Sequence, residues 1–236
     1  MPRTLLALLL LPPLAVAAPV PKPAPKKVED LYGQVPEVSG VTCELTKDEE
    51  LRISVSKDAP SGNRDDLARP LVTRTLEGDF ELTIRLTHKP AKAADLAVGT
   101  GAATVSAGVA LFADGDTKKT LCLLHKHVKS GEQWTSRLSM NSRHAKGGSG
   151  TGRQSKGLED QPLYLKLIRT GDVFTSQTSP DGKKWSPFGK HTVADFGGAV
   201  VVGPVAFHNT TAEYEVIFDQ YEVKPLKEQE KKEEKK

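Results

Sequence analysis

The chain has 236 residues, with 33 Lys and Arg against 30 Asp and Glu and a formal net charge of +3. Four basic residues precede residue 28, and the tail from Lys224 to Lys236 holds six Lys and four Glu, which leaves −3 for the stretch 28–223. A body of that sign lacks the clustered cations a phosphate backbone demands, so nucleic acid is excluded as a partner.

The N-terminus reads MPRTLLALLLLPPLAVAAPVPK. Arg3 supplies a positive start, Leu5 to Leu11 form a short apolar run, and Ala15-Val16-Ala17 is an A-x-A cleavage pattern. We read residues 1–17 as a secretory signal peptide and the mature protein as secreted or periplasmic. The apolar run is far shorter than the ~20 residues of a membrane span, so no integral membrane segment is expected. Residues 18–27 form an extended Pro/Lys linker. Residues 28–223 form one domain, and residues 224–236 a charged, disordered tail with almost nothing to bury.

Within 28–223, period-2 alternation of apolar and polar residues recurs between turn signals. It predicts strands at Leu51–Val55, Asp79–His88, Ser106–Ala113, Lys119–Val128 and Gln133–Met140. Residues 141–158, rich in Gly and Ser, read as a long polar loop. Further strands are predicted at Leu163–Thr170, Val173–Ser179, Val201–His208 and Tyr214–Val223. In the second of these, Phe80, Leu82, Ile84 and Leu86 alternate with Glu81, Thr83 and Arg85, the pattern of a half-buried strand. Asp114-Gly115-Asp116, Thr170-Gly171-Asp172 and Pro180-Asp181-Gly182 are hairpin turns. Many short strands joined by tight turns predict an all-β fold, a jelly-roll sandwich of two antiparallel sheets.

The segment QPLYLKLIRTGDVFTSQTSPDGKKWSPFG, followed by VGPVAFHNTTAEYEVIFDQYEV, resembles the closing half of concanavalin A-like lectin/glucanase domains. The resemblance is carried by Leu165, Arg169, Gly171, Asp172, Ser179, Asp181, Gly182, Trp185, Phe218 and Asp219. It is nearest to bacterial exported domains of the regulation-of-enolase type and to the C-terminal modules of β-xylosidases. It implies the sandwich fold over roughly 40–223, but no particular activity, because that superfold hosts lectins, hydrolases and scaffolds. Ser179, Asp181, Gly182 and Trp185 also resemble a sialidase Asp-box one residue short. They read as a structural hairpin, with Asp181 accepting turn amides and Trp185 packing against the core.

Glycoside hydrolysis needs two carboxylates ~5–10 Å apart. The Glu-x-Asp-x-x-Glu strand of the family's glucanases is missing, and the nearest pairs are Glu213 with Glu215 and Asp114 with Asp116. No catalytic residue is assigned, and a non-catalytic reading is preferred over an enzyme. His125 and His127 lie two apart on one strand face, a geometry open to a metal, but the sequence declares no third ligand. They read as paired surface histidines, with no metal and no cofactor expected. Cys43 and Cys122 are the candidate disulfide, the alternative being two separate buried thiols. For binding, Trp134 with Gln133, Arg137 and Asn141 is the candidate sugar site, although Trp134 and Arg137 fall on opposite faces. The preferred function is an exported, non-catalytic module binding carbohydrate or an anionic cell-envelope polymer. The alternatives are a hydrolase or lyase with a loop-assembled site, and a structural envelope protein.

Overall fold

The computed structural model describes residues 26–59, 71–89, 103–130, 133–144, 147–155, 161–194, 196–210 and 213–226. The segment read as a signal peptide, most of the segment read as a linker and nearly all of the charged C-terminal segment lie outside them. The one helix among the described residues, α1 (Val28–Leu31), is a single turn entered through the Lys27 backbone amide, which donates to the Asp30 carboxylate at 2.8 Å.

The strands are β1 (Val41–Leu45), β2 (Leu51–Val55), β3 (Arg74–Glu77), β4 (Phe80–Lys89), β5 (Ala103–Ala113), β6 (Asp116–Ser130) and β7 (Gln133–His144). They continue as β8 (Gly147–Ser155), β9 (Leu163–Thr170), β10 (Val173–Ser179), β11 (Ser186–Thr192), β12 (Ala199–His208) and β13 (Tyr214–Pro225). They form a seven-stranded sheet ordered β1-β2-β13-β4-β9-β10-β11 and a six-stranded sheet ordered β3-β12-β5-β6-β7-β8. Every pairing is antiparallel. The protein is a jelly-roll sandwich, as the alternation predicts.

The core lies between the sheets. Leu82, Ile84 and Leu86 of β4 meet Leu165 and Leu167 of β9 within the seven-stranded sheet, and Leu111, Leu121, Leu123 and Met140 face them from the six-stranded one. Burying a side chain of this size stabilises by about 1.5–3 kcal/mol, so the two inward faces hold the layers together. Arg169 continues the inward parity of β9 and is only 3% exposed. Its guanidinium donates to the carbonyls of Gly171, Gly197 and Gly198, tying the β9–β10 turn to the entry of β12.

Three expectations are corrected. Residues 141–158 are not one loop, since β7 runs on to His144 and β8 pairs with it from Ser136↔Ser155 to His144↔Gly147. Glycine-rich β8 has little strand propensity of its own, and pairing with β7 decides its conformation. Cys43 and Cys122 are separate thiols. Cys43 packs toward the main core from β1, whereas Cys122 lies in a small cluster with Ala110, Leu124 and Val205 on the other face of the six-stranded sheet. A sheet stands between them, and burial pushes each thiol up to about 11. Trp185 does not reach the core but lies outside the seven-stranded sheet, beneath the Lys166 ammonium (4.4 Å) and edge-on to Tyr164. The remainder of its hairpin is as expected. The Asp181 carboxylate accepts the amides of Lys183 and Lys184 at 2.8 and 2.9 Å, and Gly182 takes φ +70°. These bonds hold Asp181 down at about 2.

Candidate functional site

Two groupings of polar side chains stand apart from the ordinary surface. The first is on the outward face of the six-stranded sheet. Strand parity along β7 sends Leu138 and Met140 into the core and Arg137, Ser139, Asn141 and Arg143 outward. The β6–β7 register puts Lys126 beside Arg137, Leu124 beside Ser139, Cys122 beside Asn141 and Thr120 beside Arg143. On the other flank the β7–β8 register aligns Gly152, Gly150 and Gly148 with Ser139, Asn141 and Arg143. The polar row is thus bordered by a strand that raises no side chains at these positions. A Cβ at Gly150 would stand 3.0 Å from Asn141 Oδ1, so the bare glycine is what lets the Asn141 amide lie over β8. The outward partners along these rows are cationic, amide, hydroxyl, apolar or glycine.

Of the four residues assigned to a sugar site, Arg137 and Asn141 share the outward face of β7. The side chains of Gln133 and Trp134 lie outside the described ones.

The acidic pairs are engaged elsewhere. Glu215 faces Arg52 on the outside of the seven-stranded sheet, with 3.6 Å between charged atoms. Asp116 accepts the Lys118 amide within its turn. Neither faces the β7 row.

The second grouping is inside the sandwich. His125 and His127 follow Leu121 and Leu123 in the inward parity of β6 and are buried, not the surface pair expected. His88 ends the inward series of β4 and comes to them from the facing sheet. His125 Nδ1 and His88 Nε2 share a hydrogen bond of 3.0 Å, and the His88 and His127 ring centres are 4.3 Å apart. One nitrogen from each of the three rings lies within 4.8 Å of the others. Behind them Tyr214, at the start of β13, shares a 2.6 Å hydrogen bond between its hydroxyl and His88 Nδ1. The Tyr214 ring also meets His208 edge-on. His208 Nδ1 accepts the Thr210 amide, so its Nε2 carries the proton and donates to the Ser56 carbonyl.

Burial dominates the electrostatics here. It drives His88 well below the ordinary histidine range, with the charges of His125 and His127 adding to the effect. It brings His125 down to about 3 and lifts the Tyr214 phenol well above its usual value. His88 and His125 are therefore neutral at physiological pH, which is also the form that ligates metals. The sequence spacing missed this trio because its third member is 37 residues upstream in the other sheet. The only local sign is that His88 continues the Phe80-Leu82-Ile84-Leu86 inward alternation.

No family model and no curated protein matches the chain. Solved structures do. A Saccharomyces cerevisiae protein described as functionally unknown superposes with a TM-score of 0.60 at 13% identity, covering 80% of this chain and 94% of that one. A PL7 alginate lyase from Zobellia galactanivorans gives a TM-score of 0.53 at 12% identity, over 84% and 87% of the two chains. A GH43 protein from Bacillus licheniformis gives 0.52 at 15% identity, over 78% of this chain but 35% of that one. At these identities the likeness establishes the sandwich fold. No helix among the described residues is long and apolar enough to cross a membrane.

Proposed function

We propose that this protein is an exported, non-catalytic module that binds an acidic polysaccharide or cell-envelope polymer along the outward row of β7. The observation that carries this reading is the row itself. Arg137, Ser139, Asn141 and Arg143 stand at alternate positions of one strand, with Lys126 on one side and the glycine positions of β8 on the other. Repeated donors along an unobstructed strand suit an extended polymer with a carboxylate or sulfate on successive residues, since a guanidinium pairs with such groups bidentately. The fold likeness to proteins titled alginate lyase and GH43 supports a carbohydrate ligand. Among the described residues, the outward positions of β6, β7 and β8 pair no two carboxylates, which favours binding over hydrolysis. The regulation-of-enolase type of exported domain remains the proposed kinship.

Affinity electrophoresis through gels containing alginate, polygalacturonate or neutral xylan tests the reading. Retardation is expected in the two acidic polymers, weakening with salt as screening shortens the charge interaction. The double variant Arg137→Ala/Arg143→Ala is expected to lose most of it while keeping the native melting temperature. Free migration of the native protein in all three gels would overturn the proposal. Release of reducing ends or unsaturated sugars from any of them would replace it with the enzyme reading.

A further inference from the structure

We propose that His88, His125 and His127 form a binding site for one divalent late first-row metal ion of the Zn²⁺ type. The site is independent of the outward row of β7. It is built from both layers, β4 supplying His88 and β6 the other two. The ligand nitrogens already lie within 4.8 Å of one another. Three imidazoles at Zn–N distances of about 2.0–2.1 Å would need nitrogen separations of about 3.4 Å. Modest side-chain rotation covers that difference.

Two further observations point the same way. His125 Nε2 is buried and has no hydrogen-bond partner among the described residues. This holds for either tautomer. If Tyr214 donates to His88, then His88 donates to His125 and leaves an N–H stranded at Nε2; in the reverse direction a bare lone pair is stranded there. A buried polar atom without a partner costs about 1–3 kcal/mol, and coordination is a way to relieve it. The second observation is Tyr214, whose 2.6 Å bond to His88 Nδ1 orients the ring from behind and leaves Nε2 facing the cluster. Outer partners of this kind commonly fix metal-binding histidines.

The donor set also selects the ion. Three neutral nitrogens with no carboxylate in the group disfavour Ca²⁺ and Mg²⁺, which take oxygen, and suit Zn²⁺, Co²⁺, Ni²⁺ or Cu²⁺. Coordination through His125 Nε2 gives up the hydrogen bond between His125 Nδ1 and His88 Nε2, which frees the His88 nitrogen for the same ion. Three protein ligands leave a fourth position for water.

The test uses the full, untagged chain, stripped with chelator and titrated with Co²⁺ alone. We expect one equivalent to bind at micromolar concentration, with the visible absorption of a low-coordinate Co²⁺ centre that Zn²⁺ then abolishes. His125→Gln and His88→Gln are expected to lose the signal, and His191→Gln, outside the cluster, to keep it. Tyr214→Phe should weaken binding roughly 10–100-fold. Should the cluster variants fail to fold, imidazole NMR of the native protein decides. Of the six histidines, three should shift with the first equivalent of Zn²⁺. No absorption at millimolar Co²⁺, or binding that persists in both glutamine variants, would overturn the proposal and leave the trio as a purely structural hydrogen-bonded group.

Discussion

Gly108→Ala is expected to destabilise the protein by about 3 kcal/mol, the upper end of the cost of overpacking a well-filled site. Gly108 sits in β5 between β12 and β6, paired with Val205 on one side and Leu124 on the other. A Cβ there would stand 2.0 Å from the Leu123 carbonyl oxygen and 3.0 Å from the Leu123 carbonyl carbon and Leu124 Cα. All three are backbone atoms of the neighbouring strand, so no side chain can swing aside, and the β5–β6 ladder itself must part. Nor can the chain escape sideways, because β12 holds the other edge of β5. For a domain of this size the loss should lower the melting temperature by about 10 °C. Gly198→Ala is the matched control. It lies in the same protein at ordinary φ with open space around its Cβ position, and is expected to change stability by about 0.5 kcal/mol or less. A Gly108→Ala protein that melts with the native one would show that β5 and β6 do not approach this closely.

The second large effect is acid destabilisation of the metal-free protein. His125 is held down at about 3 when folded, against an ordinary value of 6.5, first by burial and then by the charge of His127. His88 is shifted in the same direction by burial and by both neighbouring imidazoles. The other titratable group packed on His88 is Tyr214, whose shift is upward and keeps it neutral throughout this range. A base whose folded pKa is depressed takes up its proton more readily when unfolded. Stability is therefore complete above about pH 6.5 and falls as the pH drops from there toward about 3. Through His125 alone the loss between pH 6.5 and pH 4.5 is about 2 kcal/mol, the slope approaching ~1.4 kcal/mol per pH unit below pH 6. His88 adds to it. Thermal melts in chelator across this window check the expectation, and His125→Leu should flatten the profile. A melting temperature unchanged from pH 7 to pH 4.5 would show that the cluster accepts protons without unfolding.

Two-fold alternation determined the sandwich and the inward faces of its longest strands. Phe80, Leu82, Ile84 and Leu86 were legible as one face because a strand shows its two sides in turn, whatever surrounds it. The hairpin at Pro180-Asp181-Gly182 was legible for the same kind of reason, since its bonds close within a few residues. What depends on a distant partner was not legible. Gly147–Ser155 reads as a loop because its composition is indifferent to structure, and only the edge of β7 makes it a strand. Cys43 is half-buried and Cys122 buried, yet nothing in their spacing tells that a sheet stands between them. His125 and His127 look like an exposed pair until the facing sheet delivers His88 and Tyr214. Burial, and with it the neutrality of the rings and the stranded Nε2, follows from the packing of one layer on the other, which sequence periodicity does not record.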